Sequence, residues 1–146
     1  RQGQRIDIIA LGNVMSACER ASAWQSTLAL LRGHKTNGVN IILYNSSISA
    51  CAKSDVWQFS LQLLAEAAQS QLQLTVISYN AALEACERCA EWSQALWLLA
   101  KMCKSKLYPD SASYASVIAC CESARQIEKV SFFLTELKRQ QRSVLA

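Results

Sequence analysis

The chain has 146 residues, 51% of them hydrophobic, and a formal net charge of +4. That is one domain's worth of chain with enough apolar content for a continuous core, and no stretch approaches the roughly 18 uninterrupted apolar residues of a membrane-spanning helix. Four Gly and one Pro are few breakers, which favours an all-α chain.

Arg1 to Asp7 is a polar lead-in, read as the end of an upstream unit. Apolar residues at helical spacing then predict helices in pairs. The first pair runs near Ile9 to Arg20 and Trp24 to His34, and the second near Ile42 to Lys53 and Val56 to Ser70. The third runs near Ile77 to Arg88 and Glu91 to Lys104, and the fourth near Ala112 to Ser123 and Gln126 to Gln141. Helices of this length are marginal alone in water, so stacking must stabilise them. Ser22, Ser54 and Asp55 lie in the short turns, placed to cap the second helices. Asp110 stands just before the last first helix, where a carboxylate also complements the helix dipole.

The pairs are copies of one unit. Tyr44, Tyr79 and Tyr114 are spaced 35 residues apart; seven residues beyond them lie Cys51, Cys86 and Cys121, thirteen beyond lie Trp57, Trp92 and Ile127, and twenty beyond lie Leu64, Leu99 and Leu134. An upstream copy of 33 residues has Leu11, Cys18, Trp24 and Leu31 at these places. Four tandem units at about 8–40, 41–75, 76–110 and 111–145 predict an all-α solenoid spanning 1–146 as a single domain. The repeat is under way near residue 8 with no initiating Met and no signal-peptide pattern, so the sequence reads as a segment of a longer chain.

The seven cysteines are governed by this register. Cys18, Cys51, Cys86 and Cys121 are one position seen four times, expected buried and unpaired as small core residues. Cys120 stands where the other units have Ala17, Ala50 and Ala85, so it too is read as packing. Cys86 and Cys89 have the spacing of half a zinc site, but no second pair or histidine completes four ligands. No metal is expected, and a reducing compartment is.

The chain offers little for catalysis. His34 is the sole histidine and has no positioned carboxylate, the carboxylates are unpaired, and Gly3, Gly12, Gly33 and Gly38 stand singly rather than in a phosphate loop. An enzyme is not expected, nor a cofactor. The basic residues say more. Arg20, Lys53 and Arg88 occur nine residues after the tyrosine position, with Ser123 breaking the series. Stacking would align them as a stripe. Each can be a helix-end cation facing the last carbonyls, or the stripe can be a phosphate track with one contact per repeat; spacing alone does not choose. Asn45 and Asn80 follow their tyrosines as polar residues among apolar neighbours. Such an amide suits either the edge of a base or a helix cap.

Val76-Ile-Ser-Tyr-Asn-Ala-Ala-Leu-Glu-Ala-Cys, Glu91-Trp-Ser-Gln-Ala-Leu-Trp-Leu-Leu, Met102 and Leu107-Tyr-Pro-Asp110 together resemble a pentatricopeptide repeat. The resemblance covers nearly the whole chain, strongly in the middle two units. It implies a right-handed α-solenoid whose first helices line a concave face that binds single-stranded RNA, one base per repeat. In that family the residue after the tyrosine and the last residue of the repeat select the base together, here Asn45 with Thr75 and Asn80 with Asp110. The latter is the family's combination for uracil, and Thr with Asp is its combination for guanine. The base-sandwiching position falls on Ile42 and Ile77, and the phosphate-contacting cation on Lys53 and Arg88. Unit one departs with Gly12 and Asn40, unit four with Ala115 and Leu145, and the turns lack the family's frequent glycine. The resemblance implies an organellar protein, of plastid or mitochondrion, that holds RNA for processing, editing, stability or translation. The rival expectation is a protein-binding scaffold or structural subunit of a larger organellar assembly.

Overall fold

The computed structural model describes residues 2–33 and 41–145. Eight helices follow one another: α1 (Gln2–Arg20), α2 (Trp24–Gly33), α3 (Ile41–Lys53), α4 (Trp57–Gln69), α5 (Val76–Arg88), α6 (Trp92–Lys104), α7 (Ser111–Ser123) and α8 (Ile127–Leu145). No strand occurs among the described residues. The middle helices begin and end within one residue of the positions expected. The first and last are longer: residues 2–8 hold no proline and extend α1 by about two turns, and α8 continues past Gln141. His34, Gly38 and Asn40 lie outside the described residues.

The shape follows from which helices touch. Successive first helices pack on one another, α1 on α3, α3 on α5 and α5 on α7; each second helix packs on its own first helix, and α2, α4 and α6 also pack on the first helix of the next pair. Successive second helices make no comparable contact among the described residues. Close inner helices and separated outer ones bend the stack into an α-solenoid of four hairpins, with the first helices on the concave side. Side-chain size permits this: Ala50, Ala85 and Cys120 are fully buried at equivalent places on the first helices. The Cys120 thiol reaches across the seam and donates to the Cys86 carbonyl at 3.2 Å.

The core runs without a break from Leu11 to Leu137. Tyr44, Tyr79, Leu64 and Leu99 are all at most 2% exposed, and Leu31 is 1% exposed. Tyr114, Trp92 and Leu134 are half-buried against the same cluster. The tyrosines at the register position are therefore core residues and not stacking platforms.

The turns hold a correction. Ser22, Ser54 and Asp55 do not cap the helices that follow. Ser22, Asp55, Ala90 and Arg125 instead terminate the helices that precede, each in the left-handed region with φ between 54° and 59°. Around them two backbone bonds close the helix end, as in Val56 N–H to Cys51 O at 3.1 Å and Asp55 N–H to Ala52 O at 3.1 Å. This is the pattern that closes a helix C-terminus on a left-handed residue. It recurs at all four hairpin turns and again after α4 and α6, at Gln71 and Lys106. Ser54 donates to the Ser22 carbonyl at 2.6 Å, tying one hairpin turn to the next. The left-handed region costs an L-residue about 1–2 kcal/mol and glycine nothing, against glycine's extra backbone entropy of roughly 0.5–1 kcal/mol. Ala90→Gly is therefore expected to stabilise the chain by about 0.5–1 kcal/mol in urea unfolding. A loss of stability would show that the alanine methyl packs usefully in that turn.

Cys51, Cys86, Cys120 and Cys121 are buried and none of the described cysteines is in a disulfide. Cys18 departs from expectation and is only half-buried, because no described helix packs on the outward side of α1. Burial pushes the Cys51 thiol up to about 11 and Cys86 to about 12, the latter helped by Cys120 alongside. At pH 8 a thiol titrating near 11 is thiolate only about one part in a thousand, and the thiolate is the nucleophile. Native labelling at pH 8 is expected to modify Cys18, Cys89 and Cys103 first. Cys51, Cys86 and Cys120 should wait for unfolding. Labelling of Cys86 as fast as Cys103 would contradict the packing.

Candidate nucleic-acid interface

Among the inner helices, α3 and α5 are covered on both flanks by first helices and α1 and α7 on one, and all are backed by second helices, which leaves one face open. On it Ile9, Ile42 and Ile77 are 69%, 64% and 68% exposed, one per repeat, and Ala112 continues the row. Large apolar side chains held in water at repeat spacing form a ladder suited to flat apolar ligands. Ile42 and Ile77 were expected on this face. Ile9 belongs with them, and the 33-residue spacing of the first unit places it two before Leu11, as Ile42 stands two before Tyr44.

Three residues along the same face from each isoleucine, close to one helical turn, lie Gly12, Asn45, Asn80 and, after Ala112, Ala115. The Asn80 side chain is fixed. Its Nδ2 donates to Asp110 Oδ1 at 3.1 Å, and its Oδ1 accepts from the Ser113 hydroxyl at 2.5 Å. Asp110 is the N-cap of α7, accepting from Ser113 N–H at 2.9 Å. That backbone bond, the Ser113 hydroxyl and the Asn80 amide hold its carboxyl below the usual carboxylate range, in that order of effect. The carboxylate therefore orients the Asn80 amide from the start of the next repeat.

The second repeat is built differently. Thr75 takes the place of Asp110, and its backbone N–H donates to Ser78 Oγ at 3.2 Å. Asn45 has a buried Oδ1 with no hydrogen-bond partner. The structure thus joins Asn80 with Asp110 but shows no hydrogen bond between Asn45 and Thr75. In the first repeat, Gly12 has open space where a side chain would begin and Asn40 lies outside the described residues. In the fourth, Ala115 is exposed and the side chain of Leu145 lies outside the described residues.

The cations are already engaged. Lys53 Nζ lies 2.9 Å from Glu19 Oε1, which also accepts from Ser49 Oγ at 2.7 Å. Arg88 Nε donates to Asp55 Oδ1 at 2.7 Å and its Nη2 to the Lys53 carbonyl at 3.4 Å. The Asp55 hydrogen bond and charge hold the Arg88 guanidinium in its cationic form. Both pairs join consecutive repeats, and both are solvent-accessible, where such pairs contribute little to stability. Arg20 is exposed. Glu19 was not singled out in the sequence, and Asp55 was read only as a helix cap, since only the stack brings them beside Lys53 and Arg88, 34 and 33 positions away. No three His, Cys, Asp or Glu side chains converge to hold a metal ion among the described residues, and no described helix is long and apolar enough to cross a membrane.

Paired helices repeated in register, with an open ladder on the inner face, define a helical-repeat solenoid. Residues 62–123 match the pentatricopeptide repeat domain model. Two solved structures share its fold. The crystal structure of the pentatricopeptide repeat protein PPR10 from maize has a TM-score of 0.77 at 18% identity, over 93% of this chain and 20% of that one. The crystal structure of PPR10 in complex with an 18-nt psaJ RNA element has a TM-score of 0.78 at 18% identity, over 94% of this chain and 20% of that one. The chain spans about a fifth of the length of these structures. No curated protein sequence matches it.

Proposed function

We propose that the chain binds single-stranded RNA along its concave face, within a plastid or mitochondrial protein that supports RNA processing, editing, stability or translation. The observation that carries this reading is the Asn80 amide, held by Asp110 beside the exposed Ile77. An oriented amide can donate to and accept from a base edge while an apolar side chain meets the base's flat side. PPR10, whose fold this chain shares, has been solved with an 18-nt RNA element, which supports an RNA-binding use of this fold. Catalysis has no part in the proposal. The organelle enters through the family resemblance.

The competing reading is a protein-binding scaffold within a larger organellar assembly. It is favoured by Gly12 and Ala115, which bring no polar group to the face, and by the carboxylates that neutralise Lys53 and Arg88. Charge separates the two readings. A cation that neutralises a phosphate on a single strand contributes about 0.7 to the slope of log affinity against log salt. Replacing Arg20, Lys53 and Arg88 together with Gln is expected to weaken RNA binding and flatten that slope. The loss should be similar for every sequence, because phosphates carry no sequence information. An unchanged slope would leave Lys53 and Arg88 as ties between repeats. Failure of the unmodified chain to bind single-stranded RNA at micromolar concentration would favour the scaffold.

A further inference from the structure

Ile9 and Arg20, Ile42 and Lys53, and Ile77 and Arg88 are each eleven residues apart along a first helix. That separation is about three turns and returns to the same side of the helix. The cations thus form a second row on the open face, parallel to the isoleucine ladder. Two of the three are held by a carboxylate of the preceding repeat: Glu19 Oε1 lies 2.9 Å from Lys53 Nζ, and Asp55 Oδ1 lies 2.7 Å from Arg88 Nε. A cation with a carboxylate so close presents little net charge to a third group. A phosphate drawn to either cation would also be repelled by the oxygen already bound there.

The two carboxylates are held differently. Glu19 has a side chain only 24% exposed and accepts from both Lys53 Nζ and Ser49 Oγ, the latter at 2.7 Å, so leaving the cation would cost it two bonds on α3. Asp55 has a side chain 59% exposed and stands at a left-handed turn residue, where water screens its charge more. A third pair supplies the contrast. Glu136 and Arg139 lie 2.8 Å apart within α8, one helix turn from each other, and that pair joins no two repeats and stands off the ladder's face, in the outer row.

We infer that Glu19 and Asp55 are brakes on RNA binding: each withholds the cation of the following repeat from the phosphate backbone and lowers affinity for every sequence alike. Discrimination is then left to the groups that meet bases, because a phosphate contact carries no sequence information. The inference rests on the RNA reading above and names what regulates that face. It also makes the ties between repeats and the strength of strand binding compete for the same two cations.

The test measures the affinity of the whole chain for short uridine-rich and cytidine-rich single strands over a range of salt. Glu19→Gln and Asp55→Asn keep each side chain's shape and its accepting oxygen, and asparagine tolerates the left-handed turn as aspartate does. An accessible ion pair is a modest competitor, so each variant should bind both strands about twofold to fivefold more tightly. Glu19→Gln should gain more, its carboxylate being the less exposed. The slope of log affinity against log salt should steepen by up to about 0.7 in each. Both gains should vanish when the cation goes too, in Glu19→Gln combined with Lys53→Gln and in Asp55→Asn combined with Arg88→Gln. Glu136→Gln removes the same charge from the outer row and should change neither affinity nor slope. Unchanged affinity and slope in Glu19→Gln and Asp55→Asn would overturn the inference and leave the pairs as ties alone. A gain that survives loss of the cation, or that Glu136→Gln matches, would overturn it as an effect of net charge. If neither the unmodified chain nor the double carboxylate variant binds either strand at micromolar concentration while helicity is intact, the RNA reading falls, and the brake with it.

Discussion

Leu99→Ala is expected to destabilise the chain by roughly 2–5 kcal/mol, the usual cost of emptying a fully buried leucine site. Leu99 has no exposed surface and sits on α6, which packs on α5 and α7 and so bridges two repeats. The fully buried Leu98 and Met102 lie beside it on α6, leaving little freedom for the site to collapse. In a linear stack the loss passes to neighbours first and fades with distance. Hydrogen exchange should therefore quicken most in α5 to α7 and least around Met15 in α1. Equal acceleration at Met15 and at Phe132 would mean that the chain melts as one cooperative body, and nearest-neighbour stacking would be the wrong description.

Asn80→Thr is expected to move the preference at one nucleotide from uracil towards guanine. The expectation rests on the family resemblance, which implies that threonine with aspartate at these two positions selects guanine. A correct amide-to-base pairing contributes about 1–3 kcal/mol, so the exchange should appear as a tenfold or larger change in relative affinity. Few repeats bind weakly, since base stacking of about 1–3 kcal/mol each must first offset ordering costs. Relative affinities across a set of strands are accordingly the measure. An unchanged preference, with helicity intact, would remove the third repeat from RNA reading and move the scaffold ahead.

The architecture was legible because Tyr, Cys, Trp and Leu recur at fixed offsets, and such recurrence survives the loss of any one member. Leu11 in place of tyrosine did not hide the first repeat. The pairing of Asn80 with Asp110 was implied by the family resemblance and not by the recurrence itself. The turns were not legible. Left-handed helix ends are ordinarily marked by glycine, and here Ser22, Asp55, Ala90 and Arg125 fill them, so Ser22 and Asp55 looked like caps for the helix ahead. The state of Lys53 and Arg88 was hidden for a further reason. Their partners, Glu19 and Asp55, occupy different register positions, and side-chain reach across a seam leaves no periodic trace. Ser113 escaped notice because serine three residues past an N-cap reads as part of the cap alone.

The unequal packing of inner and outer helices makes the array mechanically lopsided. Stretching or bending that separates first helices must pull apart seams closed by Ala50, Ala85 and Cys120, where backbones are near and packing is dense. The same motion along the outer row opens gaps between second helices that scarcely touch. The inner row therefore acts as an inextensible spine and the outer row as the compliant side, so thermal bending changes the curvature while the spacing of the isoleucine rungs stays nearly constant. A strand lying on those rungs would meet a ruler of fixed pitch on a frame that flexes.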